Sequence, residues 1–445
     1  MKTFPMGGVH PSENKLSCAK PIEILPLPEV VTIPLAQHIG APAVAKVAKG
    51  DKVLTGQLIA EAASFMSANI HSPVSGTVTG VDLLPNGQGL RQMMITIKRE
   101  GDEWAEGIDR SETLVRECTL SAQEIIARIK EAGIVGMGGA TFPTHVKLSV
   151  PPGKKAECLI INGVECEPYL TSDHRTMLEH GEELIVGVTI LMKAVGVEKA
   201  YIGIENNKPE AIKKLKELVK DEPRIEVCEL LTKYPQGGER SLIYAVTGRS
   251  VNSSMLPADA GCIVDNIGTV IAIYDAVCKT TPLIERVFTV TGDAIADPRN
   301  FRIKIGTNTQ ELIEAAGGFK SEPEKVISGG PMMGFAMFDL DVPVIKTNGS
   351  VLCMTKDQVA ASVETPCIRC GKCVSACPSH IVPVMMMKAA LKGDCDTFEK
   401  LNGMECMECG SCTFVCPAKR PLTQAFKEMR KTVAANRRKK AQGGK

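Results

Sequence analysis

The sequence predicts a multidomain protein of mixed α/β and α+β architecture. Its 445 residues exceed the size of one ordinary domain and suggest three or four. Short strand patterns with turn signals occupy residues 41–100, whereas helix and strand patterns alternate over residues 120–280. Two cysteine runs follow between residues 367 and 416. These three patterns differ in kind and divide the chain into separate units.

The overall composition excludes several classes of protein. The formal net charge is +1, so no field of one sign favours nucleic acid, and no nucleic-acid partner is expected. No window offers the roughly 18–20 uncharged apolar residues of a transmembrane helix, and the first residues lack the apolar stretch of a secretory signal. We therefore expect a cytoplasmic location, where 17 cysteines are not explained by disulfides.

The first unit is predicted over residues 1–110. Residues 49–61 have the strand–turn–strand chemistry of a Gly-Asp turn, and residues 71–78 repeat the pattern. This arrangement resembles a lipoyl- or biotinyl-like barrel-sandwich hybrid. Domains of that kind carry a modified lysine at the hairpin tip, but residues 65–69 read FMSAN. We expect a structural or docking role for this tip rather than a swinging arm.

The second unit is predicted over residues 120–282 and begins with a helix and a glycine-rich loop. Ser121 as a cap and Glu124 in the first turn predict a helix that runs to about residue 131. Residues 133–147 follow, and their glycines allow backbone N–H groups to surround a phosphate, with a lysine as an additional charge. A glycine-rich loop alone is weak evidence, since many are only turns.

Three further elements follow this loop. Residues 158–161 are typical of a buried parallel strand, which ends in Asn162 and is followed by two glutamates and a proline. Residues 234–240 open a helix, and residues 264–269 end another apolar run. Because ligands bind at the carboxyl ends of parallel strands, these elements predict a shared site.

The third unit is predicted over residues 285–352 and resembles a soluble-ligand-binding β-grasp domain. Its pattern combines a strand at 286–292, a helix near 309–316 and the loop GGPMMG at 329–334. We expect this loop to be a turn against the preceding domain, with a ligand-binding loop as the alternative.

The fourth unit is predicted over residues 358–430 and contains two copies of the run C-x2-C-x2-C-x3-C-P. This run is typical of bacterial ferredoxins, in which the fourth cysteine ligates the cluster of the other run. We therefore predict two [4Fe–4S] clusters, one on Cys367, Cys370, Cys373 and Cys416, the other on Cys406, Cys409, Cys412 and Cys377. We also expect the fourth cysteine of each run to open a helix. The alternative is a pair of zinc knuckles, which have no reason to repeat a third C-x2 step and a Cys-Pro.

The last residues, 431–445, are basic and are predicted to form a disordered, solvated tail. Contact with acidic phospholipid is the alternative.

The four elements of the second unit, in this order, resemble the flavin-binding subunit of respiratory complex I. Four positions depart from that family, at Thr141, Val164, Gly238-Glu239 and residues 265–269. The resemblance implies that the unit binds FMN non-covalently and uses NAD(H) as substrate. It assigns the FMN phosphate to Gly136, Gly138, Gly139 and Lys147, the isoalloxazine and ribityl to Asn162, Glu165, Asn266 and Thr269, and the nicotinamide side to Glu167 and Glu239.

The whole order of units is similar to the C subunit of the Rnf electron-transport complex, and the similarity covers nearly the entire chain. It implies a peripheral subunit on the cytoplasmic side of the cell (inner) membrane, within an ion-translocating ferredoxin:NAD⁺ oxidoreductase. Electrons would pass between NAD(H), FMN and the two clusters, with membrane partners that translocate Na⁺ or H⁺. The implied partners are the other subunits, including an iron–sulfur partner, and ferredoxin indirectly.

Two other functions stay open from the sequence. One is an iron–sulfur relay or scaffold subunit without flavin. The other is the diaphorase subunit of a soluble hydrogenase or formate dehydrogenase. A flavin absorbance band that NADH reduces would separate the first of these from the flavoprotein.

Overall fold

The computed structural model describes residues 1–151 and 153–443. Within this part of the chain the strands are β1 Ile22–Ile24, β2 Val30–Pro34, β3 Val44–Ala45, β4 Lys52–Val53, β5 Leu58–Glu61, β6 Ile70–His71, β7 Gly76–Pro85, β8 Arg91–Arg99, β9 Cys158–Asn162, β10 Ala200–Glu205, β11 Ile225–Leu230, β12 Cys262–Asn266, β13 Glu285–Thr291, β14 Arg299–Lys304, β15 Lys325–Ser328, β16 Phe335–Ala336 and β17 Ser350–Met354.

The helices alternate with strands in the middle of the chain and dominate its last part. They are α1 Ala122–Glu131, α2 Thr144–Leu148, α3 Ser172–Glu179, α4 Gly181–Val195, α5 Pro209–Leu218, α6 Glu239–Thr247, α7 Ile267–Cys278, α8 Thr309–Ala315, α9 Lys372–Ser375, α10 Pro383–Leu391, α11 Cys395–Lys400, α12 Ser411–Phe414 and α13 Leu422–Gly443. None of the helices in the described ranges has both the length and the apolar character needed to cross a bilayer.

The first domain consists of two small antiparallel sheets, ordered β2-β8-β7-β4 and β3-β5-β6. Alternate side chains of the long strands, such as Val78, Ile95 and Ile97, point into a shared core and are fully buried. The hairpin tip between β5 and β6 contains residues 65–69. This architecture confirms the predicted barrel-sandwich fold.

The second domain is a parallel four-stranded sheet, ordered β11-β10-β9-β12, with helices on both faces. Along β9, Leu159 and Ile161 belong to the core beneath α1, α4 and α7, whereas Ile160 belongs to the core beneath α6. Both faces are covered, which explains the continuous apolar run of β9. Helix α1 begins with the predicted capping box of Ser121 and Glu124 and ends at the predicted residue.

The third domain is a six-stranded sheet, ordered β1-β14-β13-β17-β15-β16. Its edge strand β1 comes from the amino-terminal segment and pairs in parallel with β14. Residues Lys2 and Val9 also form bridges to Leu230 and Tyr234 of the second domain. The predicted unit 1–110 therefore differs from the structure, because its first residues complete a sheet and cover loops of other domains.

The fourth domain contains the two cysteine runs. Gly371 and Gly410 adopt left-handed conformations, with φ of 76° and 82°, and each precedes a short helix, α9 or α12. The third cysteine of each run lies in this helix and the fourth follows it. The expectation that the fourth cysteine opens a helix is wrong, because each precedes a proline, which disfavours helical geometry in the residue before it.

The predicted disordered tail is also wrong over residues 431–443, which continue α13. Leu422, Phe426, Met429 and Val433 recur at helical spacing and are buried against α10 and α11. Arg437 donates to Glu399 over 2.8 Å. The apolar stripe and this ion pair extend the helix well beyond residue 430. Residues 444–445 of the predicted tail lie outside the described residues.

Candidate functional site

The glycine-rich loop between α1 and α2 forms one wall of the candidate flavin site. The Gly136 N–H donates to the Phe142 carbonyl over 2.9 Å, which closes the loop. Thr269 Oγ1 accepts the Met137 N–H over 2.9 Å, which fastens the loop to α7. Within the described residues, the N–H groups of Gly138, Gly139 and Ala140 have no hydrogen-bond partner, and all three residues are exposed. The loop is therefore fixed at both sides and leaves donors for an anion.

The two exposed glycines of this loop differ in their surroundings. A Cβ on Gly138 would lie 2.7 Å from Asn266 Cβ, so the backbone packs directly on that side chain. A Cβ on Gly139 would have no protein atom within 4 Å. The Cα of Gly139 therefore borders open space, and a side chain at this position would project into it. Unpaired N–H groups beside such a space suit the phosphate of FMN.

Asn162 and Asn266 end the adjacent parallel strands β9 and β12 in the same register. Asn162 Nδ2 donates to the Gly237 carbonyl over 2.9 Å, just before α6. Asn266 Oδ1 accepts the Gly268 N–H over 2.9 Å and caps α7. The structure thus brings together the strand ends, the glycine loop and the start of α6, as the sequence predicts for a shared site.

At this edge of the sheet, the predicted flavin residue Glu165 caps a helix, and the unpredicted residue Asp173 contacts Asn266. The Glu165 carboxylate accepts N–H groups at the start of α3, with 2.7 Å to Asp173 N, so it acts as a helix cap. Asp173 Oδ2 instead accepts Asn266 Nδ2 over 2.7 Å. Burial, and then the charge of Glu165, raise the pKa of Asp173 to about 7. Sequence reasoning missed Asp173 as a site residue, although it follows the strand-end motif closely.

Lys147 lies in a charged group with Asp265 and Glu239. Its ammonium donates to the Val264 carbonyl over 2.7 Å and to Asp265 Oδ1 over 3.0 Å. Asp265 is 1% exposed, so Lys147 neutralises a buried carboxylate and keeps one N–H for another acceptor. Burial raises the pKa of Glu239, the first residue of α6, and the charge of Lys147 opposes this shift.

Glu167 lies at a junction of three domains. Its carboxylate accepts the N–H groups of Met332 over 3.1 Å and Met333 over 2.9 Å. It lies 3.4 Å from the Tyr234 hydroxyl oxygen, whose proton is donated to the Cys409 carbonyl over 2.7 Å. These contacts confirm that the loop at 329–334 is a turn against the second domain. Burial raises the pKa of Glu167 to about 7. Glu167 thus contacts the β-grasp loop, whereas Glu239 lies beside Lys147.

Two basic side chains of the β-grasp domain donate hydrogen bonds to backbone carbonyls of the glycine loop. Lys346, 1% exposed, donates to the carbonyls of Gly133 and Asn69, each over 2.8 Å. Arg286 donates to the Met137 carbonyl over 3.4 Å. Asn69 belongs to the tip of the first domain, and its Nδ2 donates to the Glu131 carbonyl of the second domain over 3.1 Å, which agrees with the predicted docking role. The sequence offered no signal for either cation, since each lies at an ordinary strand or loop position.

The cysteines of the two runs mix in the structure. A small cavity, partly open to solvent, is lined by Cys406, Cys409, Cys412 and Cys377, together with Phe426 of α13. Burial raises the pKa of Cys406 to about 11 and of Cys412 to about 12. Within the described residues, no three Cys, His, Asp or Glu side chains converge as ligands of a single metal ion. These thiols surround a space, which suits a cluster of several atoms.

The remaining four cysteines of the runs are more accessible. Cys373 and Cys416 come from different runs and are close enough for their charges to interact, while burial is the main cause of the raised pKa of Cys373. Cys367 and Cys370 are exposed. The crossed assignment of ligands stays a prediction, and the thiol sets of the structure fit it.

Four family models match the chain in the order of its domains. The barrel-sandwich hybrid domain of the Rnf C subunit matches residues 2–102, and the Nuo51 FMN-binding domain matches residues 129–275. The SLBB domain matches residues 287–336, and a 4Fe-4S dicluster domain matches residues 366–419.

Curated relatives are similar over nearly the whole chain. The C subunit of the proton-translocating ferredoxin:NAD(+) oxidoreductase complex of Clostridium ljungdahlii is 50% identical over 99% of this chain and 96% of its own. The C subunit of the Na(+)-translocating ferredoxin:NAD(+) oxidoreductase complex of Acetobacterium woodii is 46% identical over 97% and 98%. The C subunit of the ion-translocating oxidoreductase complex of Rhodobacter capsulatus is 43% identical over 94% and 81%.

Solved structures share the fold at low sequence identity. An NAD⁺-reducing [NiFe]-hydrogenase in the air-oxidized state superposes with a TM-score of 0.52 and 19% identity, over 69% of this chain and 63% of that chain. The H2-reduced state gives a TM-score of 0.51 over the same shares. At this identity the similarity establishes the fold alone.

Proposed function

The chain belongs to the family of C subunits of ion-translocating ferredoxin:NAD⁺ oxidoreductase complexes, and from this membership we propose that it passes electrons between NAD(H), FMN and two [4Fe–4S] clusters. Membrane partners in the same complex couple this transfer to the movement of Na⁺ or H⁺. The observation that carries the proposal is the loop of unpaired N–H groups at the strand ends, in one chain with a cavity lined by four thiols from two ferredoxin-like cysteine runs.

The chain combines the two kinds of site that this reaction requires. NAD(H) exchanges two electrons as hydride, whereas an iron–sulfur cluster accepts one electron at a time. FMN, when bound, supplies the conversion between the two. A flavin site and cluster ligands in one chain therefore have a chemical reason to occur together.

The residues around the flavin site have separate tasks in this proposal. The backbone of Gly138 and Gly139 presents free N–H groups to the phosphate, and Lys147 adds its remaining N–H. The phosphate contact predicted for Gly136 does not hold, because its N–H closes the loop on the Phe142 carbonyl. Thr269 holds the loop at Met137, which fixes the direction of those donors. Asn162 and Asn266 orient the ring and ribityl, and Glu165 supports them through the cap on α3.

The two glutamates act at different places. Glu239 faces the nicotinamide side. The positive charge of Lys147 partly offsets the rise that burial causes in the pKa of Glu239. Glu167 binds the N–H groups of the β-grasp loop, so its task is to position this loop rather than to touch the nicotinamide. For the clusters we retain the crossed sets, Cys367, Cys370, Cys373 and Cys416 for one, and Cys406, Cys409, Cys412 and Cys377 for the other.

We further propose that the subunit is peripheral and lies on the cytoplasmic side of the membrane. This placement follows from the substrates named for the relatives, because ferredoxin and NAD(H) belong to the cytoplasm. Protease digestion of right-side-out and inverted vesicles tests the placement. Digestion of this subunit in right-side-out vesicles would contradict it.

The proposal is tested with the full chain, reconstituted anaerobically with iron, sulfide and FMN. We expect NADH to bleach the flavin absorbance and then to produce reduced-cluster signals in electron paramagnetic resonance. FMN retention without any reaction with NADH would remove the hydride step. Failure to retain FMN would favour the flavin-free relay.

Two glycine-to-alanine variants, one in the loop and one outside it, test whether the glycine loop binds the FMN phosphate. Gly139→Ala introduces a Cβ into the open space of the loop, so we expect FMN affinity to fall by about tenfold, roughly 1.4 kcal/mol. Gly87→Ala in the first domain would meet only ordinary contacts and should leave FMN affinity unchanged. Equal affinities for both variants would place the phosphate elsewhere.

A further inference from the structure

The two cysteine runs form equivalent loops with different surroundings. We call residues 406–411 the inner loop and residues 367–372 the outer loop, which align cysteine by cysteine. The second domain covers the inner loop. The Met407 methyl packs so closely on Gly238 that a Cβ there would lie 2.8 Å from it. The Tyr234 hydroxyl donates to the Cys409 carbonyl over 2.7 Å.

The neighbours of the inner loop belong to the flavin-like domain and its β-grasp partner. Gly238 directly precedes Glu239 of the flavin site. Gly410 packs on the Met332 carbonyl, and Arg240 pairs with Glu405 over 3.0 Å. The cluster cavity of Cys406, Cys409, Cys412 and Cys377 is therefore the one that adjoins the flavin site.

The outer loop, in contrast, is covered by nothing in the described residues. Its positions 367–372 are exposed, unlike their neighbour Cys373, and Ile368 is 68% exposed. Ile368 is the counterpart of Met407, the residue that contacts the flavin-like domain in the inner loop. Met407 of the inner loop thus contacts the flavin-like domain, whereas its counterpart Ile368 of the outer loop contacts solvent.

The charges of the outer loop indicate the chemistry of its partner. Arg369 is the counterpart of Glu408, which pairs with Arg430. Neither Arg369 nor Lys372 forms an ion pair within the described part of the chain, so both charges surround Ile368 without a counterion. The nearby Glu364 already contacts Arg420 over 3.4 Å. A complementary surface would present carboxylates around a small apolar centre.

We propose that the outer loop is the place where this chain exchanges electrons with its complex and that it docks on an acidic, one-electron redox subunit of that complex. The proposal rests on the proposed function and adds an order of carriers, with the inner cluster next to the flavin site and the outer cluster next to the partner. In ferredoxin-dependent NAD⁺ reduction the partner's reduced centre gives one electron to the oxidised outer cluster, and with NADH as donor the electron moves the opposite way. No bond forms or breaks and no proton moves.

The exposed apolar side chains indicate that the partner of the outer loop is a permanent subunit of the complex rather than a soluble carrier that binds transiently. Val363 is 79% exposed and, with Ile368, places apolar surface on both sides of Cys367. Such surface in contact with water marks an interaction site in soluble proteins. The two exposed ligands, Cys367 and Cys370, bring the outer cluster close to whatever covers this loop.

A charge reversal in the intact complex tests the docking. The variant combines Arg369→Glu with Lys372→Glu, and the control combines Lys213→Glu with Lys220→Glu, which changes the same charge on exposed positions around α5. We expect the outer-loop variant to slow ferredoxin-dependent NAD⁺ reduction at least tenfold and to release the subunit from the complex at lower salt. NADH should still reduce both clusters. Rates and salt release equal to those of the control would overturn the proposal.

A photo-reactive residue in place of Ile368 identifies the partner in the same complex. We expect a cross-link to a redox-centre subunit, next to acidic residues. A cross-link to a subunit without a redox centre, to lipid, or only to added ferredoxin would overturn the proposal. If NADH fails to reduce the clusters of the unaltered complex, the proposed function fails, and the cross-link still decides the docking separately.

Discussion

Lys147 is a single side chain that serves both the fold and the candidate site. Loss of its ammonium would leave the Asp265 carboxylate buried without a countercharge, which costs about 3 kcal/mol when one partner of a buried pair is removed. We therefore expect Lys147→Met to lower the free energy of unfolding by about that amount. Urea titration followed by circular dichroism measures it.

The double variant Lys147→Met with Asp265→Asn separates the two roles of this lysine. It removes both charges, so stability should return to within about 1 kcal/mol of the original. FMN affinity should stay reduced if Lys147 contacts the phosphate. Full recovery of FMN affinity in the double variant would show that Lys147 acts only on Asp265.

Lys346 makes the stability of the domain junction depend on pH. Burial lowers the pKa of its amine from 10.5 to about 7. Below pH 7 the amine is charged in both states, whereas between pH 7 and 10.5 the unfolded chain holds more protons. The free energy of unfolding should therefore rise with pH over this window, by at most about 1.4 kcal/mol per pH unit.

The variant Lys346→Met should lack this rise, because it has no proton to release. It also leaves the carbonyls of Gly133 and Asn69 without their donor, so it should be less stable than the unaltered chain at pH 9. Urea titrations at pH 7, 8 and 9 provide the comparison, with the exposed Lys213→Met as control. A rise in stability equal to that of the unaltered chain would contradict the assignment to Lys346.

Residue-level predictions from the sequence succeed where a residue has a local reason for its position. Asn162 ends an apolar strand, and this pattern is sufficient to place it at the edge of the sheet. Asp173 and Lys346 have partners more than 90 positions away, at Asn266 and Asn69, and no local pattern encodes those contacts. Long-range partners thus limit what the sequence shows of the site.

At the level of elements, α1 and α13 illustrate the same limit. A capping box defines the start of α1 by bonds within four residues, so the sequence predicts it. Helix α13 ends in basic, exposed residues that read as a tail, and its stability comes from apolar contacts with α10 and α11. Tertiary packing therefore anchors α13 as far as Val433. The exposed residues 435–440, which include Ala, Arg and Lys, continue the helix through their own helix propensity.

Helix α13 also connects folding of the fourth domain to cluster binding. Its Phe426 lines the thiol cavity, and its Val433, about two helical turns further along, is 1% exposed. We expect Val433→Asp to lower the free energy of unfolding by about 3 kcal/mol, because a carboxylate would enter an apolar contact. The iron content per chain should fall with it.

The adjacent, exposed Thr432→Asp is a matched control for this helix. It adds the same charge on the solvent side and should retain both stability and iron. Iron analysis and thermal unfolding of the two variants measure the difference. If both variants behave alike, the packing of residues 431–443 has no part in holding the domain.

At the scale of the whole molecule, the domains are tied by segments that cross between them. Strand β1 completes the β-grasp sheet, and Lys15 donates to the carbonyls of Glu165, Glu167 and Leu170 over 2.7–2.9 Å. Glu167 in turn binds the β-grasp loop, and Tyr234 reaches Cys409. The sequence predicts the domains and their order, but these crossing contacts determine how the flavin site adjoins the inner cluster.

The order of carriers gives a prediction that involves the entire chain. Cys377 lies in the first run but lines the inner cavity, whereas Cys416 lies in the second run and accompanies Cys373. Cys377→Ala should therefore remove the inner cluster and Cys416→Ala the outer one, each with loss of about four of about eight iron atoms. The reduced-cluster signals of the two variants should differ.

Because the inner cluster adjoins the flavin site, NADH should still reduce the cluster that remains in Cys416→Ala at close to the original rate. In Cys377→Ala the electron must pass directly from the flavin site to the outer cluster, and its reduction should slow by at least tenfold. Cys118→Ala, outside both runs, should keep all the iron and the original rate. Freeze-quench electron paramagnetic resonance measures these rates. Fast reduction in Cys377→Ala with slow reduction in Cys416→Ala would reverse the order and place the outer loop next to the flavin.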